Sequence, residues 1–498
     1  ASQPVEVVPL ALQTPGQGRA DEPGDAGDED PHPRPRVGTL PAPPAPARRP
    51  PARPAPARPR PHGPHWPGPA GTARTAPAPP APSRPPPAEA APYGPLVSAA
   101  PERSDLAVVG AGILGLAVAR ELAHRHPDRR ICVLERETDP GLHQSGRNSG
   151  VIHAGLYYAR GSLKARLCVA GAREMYEFCA AHAIAHERSG KLVVATTPAE
   201  VGRLEELARR AEGNGVGGLR RLDAAGVREV EPHAVGLAGL QSPNTGIVDY
   251  AAVTRALAGD LRRAGGELAT GCEVRRVTAV GRAIRLEHAA GTHETRAAVF
   301  CAGAWADRLA VAAGADPDPR IVPFRGAYLR LRPPHRDLVG SLIYPVPDPR
   351  LPFLGVHLTR TVHGEVLIGP TALPAPARGP RPGSAPGDLA GTLAWPGTWR
   401  MLASWWRVGL TEILHAAVPT TLLRAAARLV PGLGSAGVEA AFVGVRAQAV
   451  ARDGRLVDDF VFSATPRALH VRNAPSPGAT AALAIARHVA DQADRAFA

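Results

Sequence analysis

The sequence is poor in cysteine and aromatic residues and has no long apolar run. Its 5 cysteines are scattered without the spacing of metal ligands, and Cys132, Cys272 and Cys301 lie in apolar, strand-like stretches. We therefore expect reduced core thiols, no disulfide framework and no metal site. Aromatic residues make up 4% of the chain, and no nucleic-acid-binding motif is present, so nucleic acid is not an expected partner. No uncharged apolar run reaches the roughly 18 residues that a membrane-spanning helix needs.

Proline, alanine, glycine and arginine dominate the start of the chain, over residues 1–101. This segment has almost no aliphatic periodicity, so it buries too little apolar surface to offset its chain entropy, and a disordered leader is expected. A mitochondrial transit peptide is rich in arginine and poor in acidic residues, whereas acidic residues cluster here between Asp21 and Asp30. The pattern is compatible with a targeting segment and with a low-complexity tail. The net charge of +13 lies mostly after this leader and favours an anionic ligand or surface.

A dinucleotide-binding turn follows the leader. An apolar strand leads into Gly110, Gly112 and Gly115, a helix-like run follows, and a second apolar strand ends at Glu135. The first glycine allows the tight turn, the second lets the backbone approach a pyrophosphate, and the third lets the helix pack on the strand. Glu135 stands about 20 residues beyond the last glycine, where an acid hydrogen-bonds ribose hydroxyls and repels a 2′-phosphate. The motif disfavours NADP but does not separate FAD from NAD.

The remaining pattern predicts an α/β fold with a Rossmann-like dinucleotide-binding domain and a second domain built on a mixed or antiparallel sheet. Residues 297–305 read as another buried parallel strand that ends in small residues, where a cofactor can approach. Residues 321–370 alternate as antiparallel strands do. The predicted segments are 1–101 for the leader, 102–185, 246–315 and 435–498 for the dinucleotide-binding domain, and 186–245 and 316–434 for the substrate domain.

Two later segments carry weaker signals. Residues 374–398 are rich in proline and glycine and predict a loop or insertion. Residues 401–430 are apolar and contain Trp405, Trp406 and spaced arginines. We interpret them as a helix pair that packs in the core, with a role at a membrane surface as the alternative.

Ordered motifs along residues 105–498 resemble those of a known family. They include His143-Gln-Ser-Gly-Arg-Asn-Ser-Gly-Val-Ile-His153, Asn244-Thr-Gly-Ile-Val-Asp249-Tyr250, Ile321-Val-Pro-Phe-Arg325-Gly326, Phe353-Leu-Gly-Val-His357, Gly444-Val-Arg446-Ala-Gln448 and His470-Val-Arg-Asn473-Ala-Pro-Ser-Pro477. These motifs resemble the L-2-hydroxyglutarate dehydrogenase family, within the D-amino-acid-oxidase-like flavoproteins. The leader and residues 374–398 depart from the family pattern.

The resemblance implies an FAD-dependent enzyme that oxidises a small 2-hydroxy dicarboxylate, L-2-hydroxyglutarate, to 2-oxoglutarate as a form of metabolite repair. It implies a mitochondrial location in animals, associated with the inner membrane. The implied electron acceptor is not a nicotinamide; a quinone and an electron-transfer flavoprotein both fit a dehydrogenase.

Such an oxidation needs a hydride leaving C2, a base for the hydroxyl proton and cations for the carboxylates. Histidine is the natural base, because its ordinary pKa lies near neutrality. His153 closely follows the loop 145–150, and His357 lies on the predicted substrate sheet, so both are candidate catalytic bases; each also suits a plain core position. The candidate substrate-binding residues are Arg325 and Arg446, followed by Tyr158 and Lys191. Such arginines also suit domain contacts or the flavin.

The predicted FAD contacts come from several parts of the chain. Residues 473–480 form a glycine-containing helix start that we expect to return to the cofactor, where its dipole stabilises negative charge on a reduced flavin. A covalent link to the flavin through His143 or His153 is left open. The predicted contacts are Gly110, Gly112, Gly115, Glu135, Arg136, Ser145, Arg147, Asn148 and Ser149, and, by similarity to the superfamily, Val274, Ala302, Gly303, Ala474, Gly478, Ala479 and Thr480.

Two other functions fit parts of this pattern. An amino-acid oxidase of the glycine or sarcosine type shares the FAD motif but needs a pocket for one carboxylate and an amine. A non-catalytic flavoprotein keeps FAD as a structural element only, and no hydroxy acid bleaches its flavin.

Overall fold

A computed structural model describes residues 100–351, 353–379 and 385–497, so the predicted leader lies almost wholly outside the described residues. The strands of the described part are, in chain order, β1 (Arg103–Val109), β2 (Ile131–Leu134), β3 (Val151–Ile152), β4 (His186–Glu187), β5 (Lys191–Ala195), β6 (Arg220–Asp223), β7 (Ala238–Ser242), β8 (Gly246–Val248), β9 (Glu267–Ala269), β10 (Val274–Val280), β11 (Ala283–His288), β12 (Gly291–Phe300), β13 (Arg320–Leu331), β14 (Leu342–Pro345), β15 (His357–Arg360), β16 (Val366–Gly369), β17 (Leu373–Pro374), β18 (Val438–Val450), β19 (Val461–Thr465) and β20 (Ala468–Asn473).

Helices connect these strands. They are, in chain order, α1 (Ile113–Arg125), α2 (Leu163–Ala181), α3 (Pro198–Gly213), α4 (Ala224–Val230), α5 (Tyr250–Arg263), α6 (Ala306–Ala312), α7 (Pro386–Leu393), α8 (Pro396–Ala417), α9 (Pro419–Ala427) and α10 (Ala482–Phe497), with 3-10 turns at Gly303–Trp305, Pro333–Leu338 and Pro431–Ser435.

The first sheet has the order β10-β11-β12-β1-β2-β9, and β20 joins β12 and carries β19. Strand β1 runs parallel to both β12 and β2. Its residues Leu106 and Val108 pack against α1, α5 and α10, while Ala107 and Val109 face a second cluster that includes α6. Both faces of the strand are therefore buried, which explains its unbroken apolar run.

The second sheet has the order β17-β13-β16-β15-β14-β5-β7-β6, with β18 paired to β13. Most neighbours are antiparallel, but β14 and β5 are parallel, so the sheet is mixed. The predicted α/β class with a second, mixed sheet is thus confirmed, and a third, three-stranded sheet has the order β3-β8-β4. The predicted boundary at 435 was wrong, because β18 pairs with β13 in the second sheet from Val438 to Val450. The boundary failed because a strand's own residues do not reveal which sheet will pair with it.

The apolar segment after residue 400 also differs from its prediction. Helix α9 does pack in the core, through Leu422 and Leu423. Helix α8 packs in the core at its start, through Met401, but its later residues do not, because Trp406 is 56% exposed and Leu410 is 53% exposed. The predicted loop 374–398 contains α7 as well. Within the described ranges, no helix has the length and apolarity needed to cross a membrane.

The cysteines follow the expectation of reduced thiols. All five are free, and Cys301 alone is not fully buried. Burial raises the pKa of Cys132 and of Cys168 to about 12, so both stay protonated at neutral pH. Among the described residues, no group of histidine, cysteine or acidic side chains is arranged to hold a metal ion.

Candidate active site

The glycine turn between β1 and α1 brings backbone into close contact with backbone. Gly110 has a φ of +105°, and a Cβ there would lie 2.6 Å from the carbonyl oxygen of Cys301. A Cβ on Gly115 would lie 1.9 Å from the carbonyl oxygen of Gly110. Larger residues at either position would push the helix away from the strand, so the sequence needs glycine here.

Two side chains hold this turn in place. The carboxylate of Glu135, at the end of β2, accepts hydrogen bonds from Ala111 N at 2.5 Å and Glu137 N at 3.0 Å. Burial raises the pKa of Glu135, and these amide hydrogen bonds oppose that shift. Ser145 Oγ accepts a hydrogen bond from Ile113 N at 2.9 Å, which ties the second loop to the start of α1.

A cavity of about 400 Å³ opens beside the glycine turn, between the two loops and the end of β20. The predicted contacts that line it are Gly110, Gly112, Gly115, Glu135, Arg136, Ser145, Val274, Ala302, Gly303, Ala474, Gly478 and Ala479. The predicted contacts outside its lining are Arg147, Asn148, Ser149 and Thr480. Asn148 instead holds its own loop, donating to the carbonyl oxygens of Gln144 and Ser145.

Two lining residues were missed by the sequence reasoning. Arg472 is 3% exposed and its Nε has no hydrogen-bond partner among the described residues; the same holds for Asn473 Oδ1. A buried donor and a buried acceptor without partners suit a polar ligand that reaches both. A phosphate-bearing dinucleotide fits this cavity, since it offers anionic oxygens and ring donors. Both residues lie at the end of β20. In the sequence they read as ordinary strand residues, so their role in the cavity was not predicted.

His143 also lines the cavity, beside Trp305. Its ring lies 5.2 Å from the Trp305 ring, and its Nε2 lies 2.9 Å from Glu137 Oε1. The Arg136 guanidinium also stacks on Trp305, 4.0 Å from the ring centroid. These contacts place a layer of flat side chains at one wall of the cavity.

A second group of polar side chains is buried around Lys191, the first residue of β5. Lys191 is 1% exposed, and its Nζ has no hydrogen-bond partner within the described part of the chain. The ammonium lies 3.9 Å from the centroid of the Tyr344 ring and 5.2 Å from that of Tyr157. Burial lowers the pKa of Lys191 to about 7. The Tyr157 hydroxyl is also buried, and it too has no hydrogen-bond partner among the residues that the structure describes.

Both candidate histidines lie near this lysine. His357 stacks on Tyr344 with ring centroids 4.1 Å apart, and its Nδ1 lies 2.9 Å from the Gly355 carbonyl oxygen. Burial, together with the charges of Lys191 and Arg446, lowers the pKa of His357 to about 3. Burial also holds the pKa of His153 well below its ordinary value. Both rings are therefore neutral at physiological pH and able to accept a proton.

His153 connects this group to the cavity. Its backbone N donates to Thr480 Oγ1 at 3.1 Å, and its Nε2 lies 3.4 Å from Ser476 Oγ. Its Nδ1 is buried with no hydrogen-bond partner in the described ranges. His153 therefore contacts the loop 474–480, of which Ala474, Gly478 and Ala479 line the cavity.

The two candidate arginines lie on opposite faces of the second sheet. Arg446 is paired with Phe324 across β13 and β18, and Arg325 is paired with Val445. Because neighbouring residues of a strand point to opposite faces, Arg325 does not join Arg446. Arg446 is half-buried and near His357, whose pKa it lowers, whereas Arg325 is exposed. Both arginines were candidates for the substrate carboxylates; the register separates them onto the two faces, which could not be assigned before the register was known.

Tyr158 lies beside the other lysine, Lys164. Its ring lies 5.0 Å from Lys164 Nζ, and burial raises its pKa. The neighbouring Tyr157 takes the position beside Lys191. Tyr157 and Tyr158 are adjacent in an irregular loop. Because such a loop has no periodic pattern, the side chain that would face Lys191 could not be chosen from the sequence.

A sheet with parallel central strands beside a glycine-turn cavity, together with a second, mixed sheet that carries buried bases, is typical of a nucleotide-dependent oxidoreductase. The family model described as "FAD dependent oxidoreductase" matches residues 105–492. The chain belongs to this family, within its L-2-hydroxyglutarate dehydrogenases. FAD is therefore its cofactor, and the cavity beside Gly110 is where the residues fit it.

The curated relatives are similar over nearly their whole length. The chain is 44% identical to the mitochondrial L-2-hydroxyglutarate dehydrogenase of Nematostella vectensis, covering 80% of this chain and 91% of the relative. It is 41% identical to the mitochondrial enzyme of Homo sapiens, covering 80% and 90%. It is 42% identical to the L-2-hydroxyglutarate dehydrogenase of Escherichia coli strain K12, covering 77% and 92%.

Solved structures share the fold at lower identity. An L-alpha-glycerophosphate oxidase from Mycoplasma pneumoniae with FAD bound is 22% identical, with a TM-score of 0.64, covering 79% of this chain and 95% of that one. A glycine oxidase from Geobacillus kaustophilus is 22% identical, with a TM-score of 0.61 and the same coverage. At this identity the likeness shows the fold alone, so it does not favour an amino-acid substrate.

Proposed function

We propose that this chain oxidises L-2-hydroxyglutarate to 2-oxoglutarate with FAD as the immediate electron acceptor. One observation supports the proposal most strongly: a buried lysine without a hydrogen-bond partner among the described residues lies near two neutral histidines, and one of these, His153, contacts the loop 474–480. A 2-hydroxy dicarboxylate offers what this group lacks, namely carboxylates for cations and a hydroxyl proton for a base. Its removal is metabolite repair.

The reaction removes two electrons and two protons from the substrate. The C2–H bond breaks and its electron pair leaves with the hydrogen, while the hydroxyl proton goes to a base and C2 becomes a carbonyl carbon. Bound FAD supplies the hydride acceptor. We assign His153 as the base, because it is neutral, its Nδ1 is unpaired, and it adjoins the cavity loop. His357 is the second candidate, since an Nδ1–H donating to Gly355 leaves Nε2 free to accept a proton.

Arg446 is the proposed partner of the carboxylate next to C2. Its guanidinium is on the same sheet face as Phe324 and acts electrostatically on His357, so a carboxylate bound there sets C2 close to the candidate bases. A bidentate pair of this kind fixes orientation as well as charge. The cofactor contacts predicted from the sequence remain proposals for FAD, with Arg472 and Asn473 added.

We infer that electrons leave for a quinone or an electron-transfer flavoprotein. The proposed location is the mitochondrion, at the surface of the inner membrane; "mitochondrial" appears in the names of the animal relatives and not in those of the bacterial ones. The leader lies outside the described residues. A fusion of residues 1–101 to a reporter tests import: retention in the cytosol would contradict a targeting role.

Helix α8 is the proposed membrane contact. Trp406, Leu410, Ile413 and Leu414 are each more than half exposed and repeat at helical spacing, so they form one apolar face. Arg407 lies beside this face, where it suits anionic headgroups. The double variant Trp406→Glu, Leu410→Glu is expected to lose co-sedimentation with anionic vesicles while keeping its FAD. Equal sedimentation of variant and wild type would contradict this contact.

The test of the oxidation itself is anaerobic. L-2-hydroxyglutarate is mixed with the purified FAD-loaded protein and the visible flavin absorbance is followed, with the D-enantiomer, glycine and sarcosine as controls. Bleaching by the L-isomer alone is expected. Bleaching by glycine or sarcosine would favour the amino-acid oxidase, and no bleaching by any of them would favour the non-catalytic flavoprotein.

A further inference from the structure

We propose that Lys191 and Tyr157 form the subsite for the second carboxylate of the substrate, the one remote from C2, and that this subsite selects dicarboxylates over monocarboxylates. The inference rests on the proposed function and deepens it. It concerns two residues that the chemistry at C2 does not require.

The use of lysine in this chain is the first support. Only two of its 58 lysine and arginine residues are lysines, Lys164 and Lys191. Both are buried. All the other residues in that count are arginines. A lysine at these two positions therefore indicates a structural or chemical role that a guanidinium does not fill. A compact ammonium with three rotatable donors serves a single carboxylate in a narrow buried space.

The partners of the two lysines differ. Lys164 Nζ donates to Asp458 Oδ1 at 2.7 Å and to the Asp458 carbonyl oxygen at 2.8 Å, so its charge is already compensated. Lys191 Nζ has neither kind of partner within the described residues, and the faces of two aromatic rings lie near it. Lys164 thus has a structural explanation within the protein, and Lys191 does not.

An unpaired buried ammonium destabilises a protein unless an anion joins it. The Tyr344 ring, 3.9 Å away, offers a cation–π contact, and the ammonium makes no hydrogen bond to it. The ring of Tyr157 lies 5.2 Å from the ammonium, and its buried hydroxyl, without a hydrogen-bond partner among the described residues, is a further donor. One carboxylate bound here would satisfy both groups at once.

Two cations, Arg446 and Lys191, act electrostatically on the groups around this subsite. Arg446 acts on His357 and Tyr344 from the β18 side, and Lys191 acts on His357 and His153 from the β5 side. A five-carbon dicarboxylate has one carboxylate for each. The histidines then flank the carbon that carries the hydroxyl.

The experiment compares two ligands and three proteins in anaerobic flavin reduction. L-2-hydroxyglutarate is matched with L-2-hydroxypentanoate, in which a methyl group replaces the remote carboxylate; the latter is tested as substrate and as competitor. Wild type is compared with Lys191→Met and Tyr157→Phe. Lys191→Met is expected to raise the half-saturating L-2-hydroxyglutarate concentration about 10- to 100-fold, the usual effect of removing a charged hydrogen bond. Tyr157→Phe is expected to raise it about 3- to 10-fold.

The affinity for L-2-hydroxypentanoate, which has no remote carboxylate, is expected to change much less than that for L-2-hydroxyglutarate in both variants. A Lys191→Met protein whose half-saturation by L-2-hydroxyglutarate is unchanged would overturn the subsite. So would an equal loss of affinity for both ligands, because that means general damage to the pocket. If L-2-hydroxyglutarate fails to bleach the wild type, the proposed function fails instead, and the two failures are distinguishable.

Discussion

The affinity for L-2-hydroxyglutarate is expected to depend on pH through Lys191. Its pKa is about 7 without ligand, because burial disfavours the ammonium form. A carboxylate binds the ammonium and not the neutral amine. Affinity is therefore constant below pH 7 and falls about tenfold per pH unit above it, or about 100-fold by pH 9.

Other titratable groups around the lysine do not produce this profile. Burial holds His153 and His357 neutral throughout, since their pKa values are lowered. Burial raises the pKa of Tyr157 and Tyr344, and that of Cys168 to about 12, so these keep their protons. Lys191 is thus the group that changes charge in this range.

The assay is anaerobic flavin reduction at a series of L-2-hydroxyglutarate concentrations, repeated from about pH 6 to about pH 9. Half-saturation is expected to rise above neutrality in the wild type and to stay flat in Lys191→Met. A flat wild-type profile would refute the reasoning. The same slope in both proteins would assign the titration to another group.

Three further predictions follow from the same contacts. His153→Gln is expected to slow flavin bleaching about 10²- to 10⁴-fold with little change in half-saturation, because it removes a base but no cation; an unchanged rate would exclude His153. Gly115→Ala places a Cβ 1.9 Å from the Gly110 carbonyl oxygen and is expected to abolish FAD binding, measured as the flavin-to-protein absorbance ratio. Gly202→Ala, with nothing within 4 Å, is its control and keeps FAD. Lys191→Met is expected to stabilise the ligand-free protein by about 1–4 kcal/mol, because an unpaired buried cation is removed; calorimetry checks this, and a lower Tm would contradict it.

The glycine turn and its acid were predictable from sequence because their spacing is set by local geometry. Gly110, Gly115 and Glu135 act within one strand-turn-helix-strand unit, and the contacts of each are with backbone nearby in that unit or in the adjoining strand. Position along the chain is then enough to infer position in space.

Other features depend on pairing between distant strands. Whether Arg325 or Arg446 faces His357 is decided by the register of β13 with β18, more than a hundred residues apart along the chain. One residue of register exchanges the two faces. The polar group around Lys191 needs the same information, because β5 and β14 become neighbours only in the folded sheet.

Helix α8 shows a third kind of limit. Its composition is that of a core helix, yet its face at Trp406 and Leu410 is exposed. Apolar periodicity identifies a helix that buries one side, but it does not say against what.

The most direct test of the central claim is stoichiometric. The FAD-loaded protein is titrated anaerobically with L-2-hydroxyglutarate, and 2-oxoglutarate is measured in the same samples as the flavin bleaches. We expect one 2-oxoglutarate to form for each flavin reduced, and none to form from the D-enantiomer. Bleaching without 2-oxoglutarate, or none with FAD fully bound, would contradict it.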